Sequence, residues 1–187
     1  MMKVGIKQRI ELLQGINDEN YNQMQKIADV IVTTIRNGGK VLSAGNGGNA
    51  ANAQHITGDI VGRYKIERKA YAAMTLTVDS SVMTAIGNDY GYDEVFARQV
   101  EGLGKEEDIL IILSSSAHSP NLVKAVTKAK ELGLIVIGFL GNNGGSLKDS
   151  CDYSLCIAPK DSDLAEEYAM TMNHMILEEV ENQLVNG

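Results

Sequence analysis

The sequence contains no tryptophan, only two phenylalanines, two prolines and two cysteines in 187 residues. Cys151 and Cys156 are too few and too close for a disulfide framework. Their C-x4-C spacing is not that of a zinc knuckle, so both read as small hydrophobes. Pro120 and Pro159 lie far apart, and there is no Pro/Ser linker, repeat or low-complexity tract to separate domains. No apolar run approaches the roughly 20 residues that cross a bilayer. The opening stretch "MMKVGIKQRIELLQGI" lacks the apolar centre and small-residue cleavage site of a secretory signal. Positive charge is also short: 17 Lys and Arg against 24 Asp and Glu give a net charge of −7. That balance argues against a general nucleic-acid or polybasic membrane binder. An anionic substrate would need local donors, because the overall field repels it. The expectation is a cytoplasmic protein with neither nucleic-acid nor membrane partners.

What is present is the material of one α/β domain spanning 1–187, with 44% hydrophobic and 22% charged residues. Residues 18–37 carry helical periodicity through Met24, Ile27, Ile31 and Ile35. Asn17 or Asp18 would cap this helix and Gly38-Gly39 would end it. With a preceding helix over 4–14, residues 1–38 form an N-terminal helical arm and 39–187 the core. The core holds short apolar runs at 40–44, 71–76, 108–113, 134–140 and 153–158. Helix-like segments at 49–64, 80–102, 119–132 and 162–184 separate most of them. Continuous apolar strands alternating with helices specify a three-layer αβα sandwich around a five-stranded parallel sheet. Ligands in such folds sit outside the carboxyl ends of the strands.

Two loops fall at such ends. Gly45-Asn46-Gly47-Gly48 follows the first strand and precedes a helix. Glycine lets backbone N–H groups approach an anion, and a helix N-terminus favours negative charge. The loop is neither a Walker A nor a G-x-G-x-x-G motif, and it reads equally as a plain tight turn. "SSSAHSPN" (114–121) follows the third strand, with Pro120 at the first helical position and Ser119 as cap. Ser114, Ser115, Ser116 and Ser119 are more hydroxyls than capping needs, which favours a phosphate monoester over a solvated loop.

Three histidines complete the candidate chemistry. His55 and Asp59 are spaced i, i+4 on one helix face. On the last helix, Glu166 or Glu167 precedes His174 by eight or seven residues, near one face. Two His/carboxylate pairs suit a zinc site or an acid/base pair moving a proton between adjacent carbons, and each pair alone reads as a surface salt bridge. His118 lies in the serine loop. Gly87-Asn88-Asp89 interrupts a helical pattern and reads as a turn, although Asp89 can accept from sugar hydroxyls.

The order of strand, "GNGG", helix with "AQH" and H-x-x-x-D, "GRY", "AIGNDYGY", "FARQV", the serine loop and a late histidine resembles the SIS superfamily. Within it the chain is most similar to the phosphoheptose isomerases, over nearly its whole length. The resemblance implies a homotetramer with active sites at subunit interfaces, interconverting sedoheptulose 7-phosphate and D-glycero-D-manno-heptose 7-phosphate. It implies phosphate binding by Ser114, Ser115, Ser116 and Ser119, with Asn46, Gly47, Gly48 and Asn49 nearby, and substrate contacts from Asp89 and Arg63. Asp59 falls on the family's catalytic glutamate and His174 on its catalytic histidine. The implied zinc ligands are His55, Asp59, Glu166 and His174.

This chain departs from the family at several of these positions. Asn49 stands for serine, Asp59 for glutamate, Glu166 for glutamine and Ala117 for glycine, and the usual arginine of "RIQE" is missing from 163–167. A non-catalytic phosphosugar-sensing or partner-binding homologue, or an isomerase of another phosphosugar, stays open as an alternative.

Overall fold

All five apolar runs become strands of one parallel sheet in this computed structural model, which describes residues 2–159 and 161–187. The strands are β1 (Val41–Gly45), β2 (Ala73–Thr75), β3 (Ile109–Ser114), β4 (Ile135–Leu140) and β5 (Tyr153–Cys156), in spatial order β2-β1-β3-β4-β5. Val41 pairs with Ile109, and Ile109 with Ile135, so the strands run in step. The helices are α1 (Met2–Gln14), α2 (Asp18–Arg36), α3 (Gly48–Val61), α4 (Ser80–Asp89), α5 (Ala97–Leu103), α6 (Pro120–Glu131) and α7 (Ser162–Asn186).

Successive strand side chains point to opposite faces, and both faces are covered. Val41, Ile109, Ile111 and Leu113 pack with α2, α3 and α7. Leu42, Leu110, Ile112 and Val136 pack with α5 and α6. Burial on both sides is why the strands read as unbroken apolar runs rather than alternating ones. Burying each such Ile or Leu contributes about 1.5–3 kcal/mol. The expected αβα sandwich is therefore the observed one.

Both N-terminal helices form, but α2 is part of the core layer, through Met24, Ile27, Ile31 and Val32, rather than an arm outside it; Asn17 is its cap. Its Oδ1 accepts from the N–H groups of Glu19 and Asn20 at 3.0 and 3.1 Å, and the Asn20 side chain accepts from Asn17 N–H in return. In α1 no residue is buried, and Val4, Ile6 and Ile10 are exposed. Among the described residues no helix is long and apolar enough to cross a membrane.

One expected helix is corrected. Residues 80–102 are not continuous: α4 ends at Asp89, and Gly91 has a φ of 93°. That left-handed backbone suits glycine and turns the chain through a 3-10 turn, Tyr92–Glu94, before α5 starts. A second correction concerns Ser119, which occupies the N-cap position of α6 without a side-chain capping bond. Its hydroxyl is instead 3.4 Å from that of Ser116.

Candidate active site

The glycine turn and the serine turn meet at the carboxyl ends of β1 and β3. Gly47, with a φ of 58°, is the N-cap of α3, a conformation that L side chains rarely adopt. Between the two turns lies a cavity of about 360 Å³. Asn46, Gly47, Gly48, Asn49, Ser114, Ser115, Ser116 and Ser119 all line it, together with Leu113, Leu122, Ser162 and Glu166.

Several polar groups in this cavity already have protein partners. Asn49 Nδ2 donates to Ser115 Oγ at 3.0 Å, tying the two turns together. Ser114 Oγ accepts from Ala117 N–H at 3.0 Å, and Ser116 Oγ from His118 N–H at 3.3 Å. Asn46 and Asn121 exchange two amide hydrogen bonds of 2.9 Å, and the Tyr92 hydroxyl donates to Asn46 Oδ1 at 3.1 Å. Ala117 adopts a φ of 54°, strained for a residue with a Cβ and costing on the order of 1 kcal/mol. Hydroxyls, amides and a helix N-terminus around one cavity suit a phosphate.

A second group lies farther along α3 and α7. From Gly48 to His55 is seven residues, about 10 Å along α3. There the Nε2 atoms of His55 and His174 are 3.3 Å apart. Asp59 Oδ2 is 3.5 Å from His55 Nε2 and 3.8 Å from His174 Nε2. This oxygen is buried and has no hydrogen-bond partner. Burial is the main influence raising the Asp59 pKa; the two imidazoles oppose it, as does Arg68, while Glu181 adds to it. The ring of Tyr64 stacks on His174, with centroids 5.4 Å apart and planes within 10°.

The triangle of ligand atoms matches a metal's requirements. Tetrahedral coordination with metal–nitrogen distances of about 2.0–2.1 Å places ligand atoms roughly 3.3–3.4 Å apart. The observed edges of 3.3, 3.5 and 3.8 Å lie close to that, and the orphaned carboxylate oxygen supplies a reason for a cation. His55, Asp59 and His174 thus form a donor set that fits a divalent metal.

Other expected site residues fall elsewhere. Glu166 is not in this triangle; its carboxylate packs against Gly48 at the cavity, where a side chain on residue 48 would collide with it. Eight residues of α7, about 12 Å, separate Glu166 from His174, so a shared face does not bring them together. Arg63 is exposed and forms a 3.4 Å ion pair with Glu67. Asp89 is exposed and accepts from Asn88 Nδ2 at 2.8 Å; neither lines the cavity. His118 is an exposed member of the serine loop, its Nδ1 3.1 Å from Ser146 Oγ. Sequence reasoning missed Tyr64, Tyr92 and Asn121. All three lie in stretches singled out above, "GRY", "AIGNDYGY" and "SSSAHSPN", but only the packing shows what they touch.

The SIS domain family model matches residues 6–141. The phosphoheptose isomerase of Bradyrhizobium sp. (strain ORS 278) is 49% identical over 161 residues, covering 86% of this chain and 81% of that protein. That of Clostridium acetobutylicum is 43% identical over 181 residues, 96% and 92% of the two chains. The solved structure of phosphoheptose isomerase from Neisseria gonorrhoeae superposes with a TM-score of 0.90 at 31% identity, covering 97% of each chain.

Proposed function

The chain belongs to the SIS-domain family and, within it, to the phosphoheptose isomerases, and from that premise we propose that it interconverts sedoheptulose 7-phosphate and D-glycero-D-manno-heptose 7-phosphate. The observation that carries this reading is the buried, unpartnered Asp59 Oδ2 beside His55 and His174, on the helix whose N-terminus borders the serine-lined cavity.

The chemistry follows from the arrangement. The serine and glycine turns anchor the phosphate, so remote binding energy orients the carbons that react. Asp59 takes a proton from C1 of the ketose, and the C2 carbonyl oxygen gains a proton to give the enediol. Return of the carbon-bound proton to C2, with loss of the O1 proton, yields the aldose. His174 carries the proton between O1 and O2. Burial makes the metal-free Asp59 carboxylate more basic than one at the surface, the direction a general base requires.

Zinc is the metal proposed for His55, Asp59 and His174, and when bound it would polarise the substrate's oxygens. Glu166 borders the phosphate end. Assembly as a cytoplasmic homotetramer belongs to the same reading. The exposed apolar side chains of α1 support it, since a second copy would cover them. Arg63 and Asp89 would then serve a site completed by a neighbouring subunit.

The test is turnover. Zinc-loaded protein given sedoheptulose 7-phosphate should accumulate the aldose, followed by NMR. Binding of the sugar phosphate without any aldose would contradict the proposal and favour a phosphosugar sensor.

A further inference from the structure

Glu181 is a carboxylate with 1% of its surface exposed, two turns beyond His174 on α7. Its Oε1 accepts from Tyr64 N–H at 2.7 Å and Arg68 Nε at 2.9 Å. Its Oε2 accepts from the N–H groups of Lys65 and Ile66 at 2.7 and 2.9 Å. Arg68 is equally enclosed, with a side chain 5% exposed. Its guanidinium donates to the carbonyls of Asp59 at 2.7 Å, Ile60 at 3.0 Å, and Gly62 and Lys69 at 3.1 Å.

One ion pair therefore gathers the last carbonyls of α3 and the following backbone N–H groups, and fixes both to α7. Every donor and acceptor in it has a partner, the condition under which a buried pair imposes geometry. The residues it locks are the neighbours of the reacting groups. Arg68 holds the backbone carbonyl of Asp59 itself, and Glu181 holds the amide of Tyr64, whose ring lies on His174. Nothing in the phosphate cavity, at the other end of α3, touches the pair.

We propose that Arg68 and Glu181 are positioning residues that set the separation of Asp59 and His174, with Tyr64 transmitting the restraint to the imidazole. The proposal rests on the isomerase reading for its kinetic consequence. It makes a distinct structural claim as well, that loss of the pair moves His174.

Glu181→Gln keeps the size of the side chain and removes its charge; Tyr64→Leu removes the stacked ring without disturbing the buried pair. In zinc-loaded, folded protein each should lower kcat by roughly 10- to 100-fold, the cost of misplacing a reacting group by up to about 1 Å. KM and competitive inhibition by inorganic phosphate should stay within about two-fold, because anchoring is untouched. Tyr64→Phe should recover most of the rate lost in Tyr64→Leu. The His174 imidazole resonances should shift in Glu181→Gln and Tyr64→Leu, a readout that needs no substrate. Should Glu181→Gln fail to fold, Arg68→Lys, which keeps the charge and loses the guanidinium's contacts with the Asp59, Ile60 and Gly62 carbonyls, takes its place with the same expected losses. Unchanged kcat with an unmoved His174 resonance, or a rise in KM alone, overturns the proposal. Wild-type protein inactive on the sugar phosphate would refute the isomerase reading, and the His174 resonance would then settle the positioning claim by itself.

Discussion

His55 and His174 face each other through their Nε2 atoms at 3.3 Å, one from α3 and one from α7, although 119 residues separate them. One proton shared between the two nitrogens leaves Asp59 Oδ2 buried without a donor, whereas a divalent cation satisfies all three atoms.

Metal binding follows first. Metal-free protein should take up one zinc per chain. Calorimetry on His55→Ala and His174→Ala should show affinity reduced by at least about 10-fold, as even outer partners of metal ligands cost about 10–100-fold. Full affinity in both variants would place the metal elsewhere.

Asp59 should trade stability for activity. Its pKa is raised on folding, chiefly by burial, so between its unfolded and folded values the native state binds the extra proton. Stability of metal-free protein should then fall as pH rises through that window and stay lower above it. Asp59→Asn, kept in chelator at pH 7, should melt higher than wild type while losing on the order of 100- to 10,000-fold in isomerisation. A lower melting temperature for Asp59→Asn would contradict this.

The phosphate cavity should be separable from the proton-transfer groups. Ser115→Ala deletes the acceptor of Asn49 Nδ2 and one cavity hydroxyl. Losing a hydrogen bond to a charged ligand is worth about 1.5–3 kcal/mol, so KM and the inorganic phosphate inhibition constant should rise about 10- to 100-fold. Steady-state kinetics should find kcat changed far less; the reverse pattern would detach this cavity from the phosphate.

The length of the acid at position 59 tests whether the site is a weakened form of its family's. Asp59→Glu extends the carboxylate by one methylene and should raise turnover if the shorter acid falls short of the substrate carbon. Loss of activity would mean that the pocket is built around aspartate.

Much of this was legible in the chain. The strands could be read because both faces of the sheet are buried, leaving Ile109 to Leu113 no polar side to display. Composition marked the serine turn by its four hydroxyls at one strand end, whereas the glycine turn read equally as a plain tight turn until the structure placed both on one cavity. A break was legible near Gly87-Asn88-Asp89 but misplaced: those residues are the last of α4, and the chain turns at Gly91, whose left-handed φ no side-chain pattern marks. Spacing put Glu166 and His174 on one face of α7, but a face says nothing of distance along the axis, and Glu166 lines the cavity while Asp59 sits with the two histidines. Tyr64 and the Arg68–Glu181 pair depend on how α3 and α7 pack, which no local pattern encodes.

The central claim, that Asp59 moves a carbon-bound proton, is tested most directly by isotope exchange. Zinc-loaded wild-type protein with sedoheptulose 7-phosphate in deuterated water should place deuterium on C1 of the ketose and C2 of the aldose, and Asp59→Asn should place none. Deuterium incorporation by Asp59→Asn at the wild-type rate would contradict the account, as would a wild-type enzyme that binds the sugar phosphate and exchanges nothing.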